Sequence, residues 1–182
     1  TRLAEALSAR VDADARLCTD AEAATWGEYS APAFRARRFV HLRLGTGIGC
    51  GVVLDGRLQR LDLDRTTHLE ALVVDHGEDA ALCGCGLRGC LELVASGEVL
   101  LQQDASGIAE RVTPAIITAL ENLTRQFDPE VIVIGGGVLS RFGALQDSIM
   151  RSADLSLNLA PIECARLGDD AGVIGAARVA RT

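Results

Sequence analysis

Three cysteines, Cys83, Cys85 and Cys90, crowd into the segment CGCGLRGCLE. Thiolates at this spacing can supply three ligands to a tetrahedral Zn²⁺, and Gly84, Gly86 and Gly89 permit a tight loop around the ion. A Cys-x-Cys pair makes a poor disulfide, because the two side chains point apart. A structural site needs a fourth ligand; His76 is the nearest imidazole and His68 the next. Without a metal the three are plain reduced thiols. Two glycine-rich segments offer different chemistry. Gly45, Gly47, Gly49 and Gly51 punctuate LGTGIGCG, and Gly135, Gly136 and Gly137 follow VIVI. Glycine lets backbone N–H groups approach a phosphate closely, and a helix N-terminus adds a favourable dipole. A tight hairpin and a strand-to-helix turn explain the same segments without a ligand. Asp20 is a carboxylate at a helix start, where a cap is the ordinary role.

The elements that must position these residues follow from periodicity. Residues 2–10 read as a helix, and Asp20 begins a second one through about Gly27. Two strands, Arg38 to Leu44 and Ile48 to Leu54, flank Gly45-Thr46-Gly47. Asp55-Gly56 is a two-residue hairpin signal into a third strand, Arg57 to Leu61. Leu69 to Asp75 is a further strand candidate, and residues 76–90 are irregular. Ile108, Val112, Ile116, Leu120, Leu123 and Phe127 recur at spacings of four and three, so a long amphipathic helix is expected there, ended by Pro129. Its stripe reads as core, with a subunit interface as the alternative. Val131 to Ile134 fits a buried parallel strand. A helix from about Leu139 to Met150, a strand near Ile162 and a helix from Asp169 to Ala180 complete an α/β layer pattern.

Composition narrows the function. The chain has 182 residues, 48% hydrophobic but only 3% aromatic, so aliphatic side chains must fill the core. All eighteen basic residues are Arg, which excludes lysine nucleophiles, Schiff bases and a Walker lysine within this sequence. A net charge of −7 argues against a phosphate-backbone grip by this segment itself. Arg35, Arg37 and Arg38 read as a solvated loop, and His41, inside a strand, as structural. No apolar run approaches a membrane span. Clustered thiols favour metal binding in a reducing, cytoplasmic setting, with Cys18, Cys50 and Cys164 as buried free thiols. The sequence opens within a helix at Thr1 and is expected to be part of a longer protein.

Several segments together resemble the ROK family, whose name joins sugar-responsive repressors, open reading frames and sugar kinases. TDAEAATWGE resembles its N-D-x-N-x-A-x-x-G-E segment, and LGTGIGCGVVLDGRL its L-G-x-G-I-G-x-G segment with the following hairpin. CGCGLRGCLE resembles its C-x-C-G-x-x-G-C-x-E zinc motif; VIVIGGGV and LGDDAGVIGAA resemble its nucleotide-side strand and last helix. The resemblance implies the actin-like, hexokinase-type ATPase fold. Residues 1–182 would be its larger C-terminal domain, with a zinc-motif insertion at about 76–92. The N-terminal domain, which carries the D-x-G-G-T phosphate loop, would be missing, since no such loop occurs here. By position, the resemblance makes Asp20 the base that accepts a sugar hydroxyl proton and Glu92 a sugar-binding carboxylate. Gly45, Thr46, Gly47, Gly135 and Gly136 become backbone of the nucleotide site. Structural zinc is implied, and ATP with Mg²⁺ if the protein is a kinase.

Departures from the pattern bear on function. The Asn before the catalytic Asp is Thr19 here, which is shorter. Where the family has G-E-x-G-H, an ungapped register gives Thr67, His68, Leu69, Glu70 and Ala71, so His68 stands for the sugar-binding Glu and Ala71 for the His that meets sugar and zinc. The loop to Cys83 is longer than the common pattern, which brings His76 into question as a replacement ligand. Losing partners for buried hydroxyls costs roughly 1–3 kcal/mol each, which favours sensing over catalysis. The expectation is therefore the sugar-sensing and dimerisation domain of a transcriptional regulator, touching DNA only through a segment outside this sequence. The alternative is an ATP-dependent sugar kinase, glucokinase-like, with altered specificity. By itself the segment is expected to phosphorylate nothing.

Overall fold

The computed structural model describes residues 2–31, 36–59 and 72–181. Its centre is a five-stranded mixed sheet in the order β3-β2-β1-β4-β5. β1 (Arg38–Leu44) and β2 (Ile48–Leu54), with the expected bounds, form an antiparallel hairpin that pairs Arg38 with Leu54 and Leu44 with Ile48. Asp55 (φ 49°) and Gly56 (φ 72°) both take positive φ, as a two-residue turn following the strand twist requires, and lead into β3 (Arg57–Leu58). β4 (Val131–Gly135) runs parallel to β1, and β5 (Ile162–Cys164) runs parallel to β4.

Side-chain alternation divides the sheet into two packed faces. Val40, Leu42, Leu44, Val52, Ile132 and Ile134 enter one core with Val112, Ile116, Leu120 and Leu123 of α5 (Ile108–Phe127) and with Leu145 and Ile149 of α7 (Gly143–Leu155). The apolar stripe of α5 is therefore core. Phe39, Val53, Val131 and Val133 form the second face under Trp26 and Tyr29. Trp26 stacks on Tyr29, and Tyr29 meets Phe39 edge-on, each pair 5.4 Å between ring centroids. Trp26 and Tyr29 belong to α2 (Asp20–Tyr29), which crosses α8 (Ala171–Val179) closely enough that a Cβ on Gly27 or Gly175 would strike the opposing backbone.

Several boundaries differ from expectation. Thr19, not Asp20, caps α2, which continues to Tyr29. The helix expected from Leu139 to Met150 is two, α6 (Gly137–Arg141) and α7, separated at Phe142. Phe142 packs against the core in non-helical backbone (φ −113°, ψ 70°), so tertiary contact overrides helical periodicity there. Residues 72–75 pair only through a Val73–Cys90 bridge, while 69–71 lie outside the described residues, as do Arg35 and the end of the third strand. Arg38 belongs to β1. Cys50 is buried, but Cys18 and Cys164 are half-buried; all six cysteines are free. α1 (Arg2–Val11) buries none of its residues and turns Leu3, Leu7 and Val11 outward.

Candidate functional site

The first wall of the site is the start of α2. Thr19 Oγ1 accepts the Glu22 N–H at 3.1 Å and Glu22 Oε2 accepts the Thr19 N–H at 2.9 Å, a reciprocal capping box. Asp20 is thereby left at the first helical position with an exposed carboxylate. Its Oδ1 accepts the Ala21 N–H at 2.9 Å, and its Oδ2 lies 3.3 Å from a guanidinium nitrogen of Arg43 on β1. Glu28 anchors the far end of α2. Its fully buried carboxylate accepts the N–H groups of Arg166 and Leu167 at 2.8–3.1 Å, tying the helix to the chain beyond β5.

His41 sits beneath α2. Thr25 Oγ1 donates to Ala21 O at 2.7 Å, so the 3.4 Å contact between Thr25 Oγ1 and His41 Nδ1 places the imidazole proton on Nδ1. Nε2 has no partner among the described residues. Burial, helped by the Arg43 charge, lowers the His41 pKa to about 4. The ring is neutral and structural, as expected.

The glycine loop forms the second wall. Gly45 N–H bonds Gly47 O at 3.0 Å. The loop is pinned from outside by the start of α4 (Gly97–Leu100), with Gly97 N–H on Gly45 O (2.8 Å) and Glu98 N–H on Thr46 O (3.1 Å). Glu92, opening α3 (Glu92–Ala95), accepts the Ile48 N–H at 2.7 Å. A Cβ on Gly47 would stand 2.9 Å from its other oxygen. Glu92 therefore stands behind the loop. Two clefts open on either side of Gly45 and Thr46. One, of about 200 Å³, is lined by Asp20, Arg43, Gly45, Thr46, Gly47, Ile48 and Gly49. The other, of about 190 Å³, has Gly45 and Thr46 with Gly97, Leu101, Gly137, Val138, Arg141 and Phe142.

Among the three glycines after VIVI, Gly137 is the one that lines a cleft. Gly135 is small because its Cβ would stand 2.5 Å from that of Ala165, and Gly136 (φ 107°) because its Cβ would fall on Leu44 O. Those two glycines are explained by packing. Gly97, Leu101, Val138, Arg141 and Phe142 were not legible as site residues. Only the Arg141 guanidinium, 6.0 Å from the Phe142 ring centroid, has a pairing that sequence adjacency hints at.

The cysteine loop gathers its thiols as expected. The sulfurs of Cys83, Cys85 and Cys90 lie within 4.8 Å of one another, with Cys85 Sγ 3.6 Å from Cys90 Sγ. Thiolates on a tetrahedral zinc stand about 3.8 Å apart for Zn–S of about 2.3 Å, so the set fits such an ion. Turns hold the loop: Cys83 N–H on Leu87 O at 2.8 Å and Gly86 N–H on Cys83 O at 2.9 Å. Burial, together with hydrogen bonds from Cys85 and Cys83, pushes the Cys90 thiol up to about 12. For Cys85, burial acts upward, but the Leu87 N–H and the neighbouring thiols together bring it below the usual thiol value. His76 is exposed and does not join the cluster; His68 lies outside the described residues.

Against known proteins, the ROK family model matches residues 1–106 and 101–182. This chain belongs to the ROK family. It is 30% identical to the N-acetylmannosamine kinase of Haemophilus influenzae (strain 86-028NP) over 200 residues, covering 96% of this chain and 66% of that protein's length. Its fold matches a ROK family glucokinase from Streptomyces griseus, solved with glucose and AMPPNP, at a TM-score of 0.74 and 26% identity, over 98% of this chain and 72% of the glucokinase. A ROK family transcriptional regulator, a homologue of the E. coli MLC protein, shares the fold at a TM-score of 0.75 and 19% identity, over 98% of this chain and 55% of the regulator. The mixed α/β sheet is thus that of ROK kinases and regulators alike. No helix among the described residues is long and apolar enough to cross a membrane.

Proposed function

We propose that this chain forms the lobe of a ROK sugar kinase in which a sugar and ATP meet, with a hexose or N-acetylhexosamine as the acceptor. The observation that carries this is the sharing of Gly45 and Thr46 by two clefts. One cleft has an exposed carboxylate at its edge, and the other is apolar enough for a purine. In the step this arrangement serves, the sugar hydroxyl oxygen attacks the terminal phosphorus of ATP. The bond from that phosphorus to its bridging oxygen breaks, ADP leaves, and the hydroxyl proton passes to Asp20. Gly45, Thr46 and Gly47 lend backbone to the phosphates, Phe142 and Leu101 flank the base, and Glu92 orients the loop and a sugar hydroxyl. The likeness to kinases at 26–30% identity is in keeping with this reading. The D-x-G-G-T half of the phosphate cradle is not in this sequence, so the activity belongs to the full-length protein.

Zinc is the ion the three thiolates would hold, bracing the loop that ends at Glu92. A homodimer and a cytoplasmic location accompany the reading, as family resemblance implies. The test is ADP release by the full-length protein over a panel of hexoses and N-acetylhexosamines. Asp20→Asn is expected to lower turnover about a hundredfold or more. A second reading, the sugar-sensing domain of a regulator, is favoured by Thr19, whose hydroxyl is committed to the helix cap and not to a ligand. Sugar binding with no ADP release from any sugar would decide for the regulator.

A further inference from the structure

We propose that Arg43 makes the cleft beside Asp20 a receptor for a terminal phosphate group, a deepening that rests on the reading of a sugar and a nucleotide meeting there. Arg43 projects from β1 toward the start of α2 with two-thirds of its side chain covered (32% exposed). A guanidinium carries five N–H donors; among the described residues, Asp20 is its one hydrogen-bond partner, through a single nitrogen at 3.3 Å. The rest of the cleft is lined by Gly45, Thr46, Gly47, Ile48 and Gly49, none of them charged. No lysine exists in the sequence to supply the charge instead.

Electrostatics set the class of ligand. With Asp20 as its only charge, the cleft would repel an anion; with Arg43 the two side chains cancel, and the other guanidinium donors have no hydrogen-bond partner among the described residues. A planar fork of donors matches phosphate oxygens bidentately, which a neutral sugar does not require. Placement sets the source. Gly45 and Thr46 continue into the apolar cleft of Leu101, Val138 and Phe142. A nucleotide seated there runs its phosphates over the glycine loop toward Arg43. A sugar whose hydroxyl faces Asp20 brings a phosphate to the same point once it is phosphorylated. The terminal phosphate of a nucleotide and the phosphate of a sugar ester are thus one chemistry from two sources.

Calorimetric titration of the full-length protein tests this with adenosine, ATP and Mg²⁺, N-acetylmannosamine, glucose and the 6-phosphates of both sugars. Arg43→Met is expected to weaken ATP or a sugar phosphate roughly tenfold to a hundredfold, leaving adenosine as it was; Arg43→Lys should restore part of the loss. Which phosphate suffers identifies the source. Unchanged binding of every probe by Arg43→Met overturns the inference. If that variant does not fold, the wild type decides: ATP no tighter than adenosine, together with sugar phosphates no tighter than sugars, overturns it equally. Wild-type protein that binds none of the probes overturns the kinase and sensor readings together with this one. ATP affinity that Phe142→Ala leaves intact overturns only the placement of the nucleotide.

Discussion

The glycine loop at 45–49 and the cysteine loop at 76–90 are both glycine-rich and are linked through Glu92, which follows Cys90 and accepts the Ile48 N–H, yet they are held in different ways. The first joins two seven-residue strands in continuous register and is pinned from outside by backbone donors of Gly97 and Glu98. The second is held by two isolated bridges, Val73–Cys90 and Leu82–Arg88, and by its own turns. A loop continuous with a sheet inherits the cooperativity of the sheet and keeps its shape with or without a ligand. A loop that brings three thiols together with few long-range contacts gains most from whatever binds them. Cys90, neutral at pH 7 because its thiol titrates near 12, must lose its proton to a metal, so metal affinity there should rise with pH.

The comparison can be broken most sharply at Gly136. It holds φ 107° against Leu44 beside the glycine loop, so Gly136→Ala should cost about 3 kcal/mol or more. A thermal melt that moves by less than a few degrees would show that the sheet does not dictate this end of the site.

His41 gives the next largest effect. Its pKa is about 4 folded, against 6.5 unfolded, so the unfolded chain binds the extra proton between those values. Stability is full above pH 6.5 and falls as pH drops toward 4, by about 3 kcal/mol at about 1.4 kcal/mol per unit. Denaturant titrations at pH 7 and pH 4.5 should show that fall in the wild type and much less of it in His41→Leu.

In the cysteine loop the same kind of change should be milder. Gly86 (φ 91°) has open space around it, so Gly86→Ala costs about 1 kcal/mol from backbone conformation alone. Gly84 has neither positive φ nor a neighbour within 4 Å of an added Cβ; Gly84→Ala should stay within about 0.5 kcal/mol. A larger loss at Gly84 would mean the loop is packed more tightly than its contacts indicate. Last, His76→Ala is expected to leave the metal content per chain unchanged, as measured by atomic absorption, since His76 stands outside the thiol cluster. A drop to a fraction of the wild-type content would bring the imidazole back as a ligand.

Much of this architecture is legible from local pattern. The two strands between Arg38 and Leu54, the Asp55-Gly56 turn, the parallel strand VIVI and the twenty-residue span of α5 need only residues that are neighbours in the chain. So does the crowding of Cys83, Cys85 and Cys90. The break at Phe142 was not legible, because a core contact decided it against periodicity; the cap at Thr19, given to Asp20 on residue type, was legible in the Thr19-x-x-Glu22 spacing of a capping box.

The sequence by itself determined the two hairpin strands, the parallel strand VIVI, the span of α5 with its core-facing stripe, and that three thiols share one loop. Side-chain alternation and turn chemistry act over a few residues. Tertiary structure alone decided that Gly45 and Thr46 serve two clefts, and that Gly137 rather than Gly135 or Gly136 lines one of them. It alone brought Leu101 and Phe142 to line one cleft, and Arg43 to Asp20. Those placements depend on pairings between distant parts of the chain, such as Ile48 N–H on Glu92 across 44 residues. Hydrophobic burial selects such pairings collectively, and no local pattern encodes them.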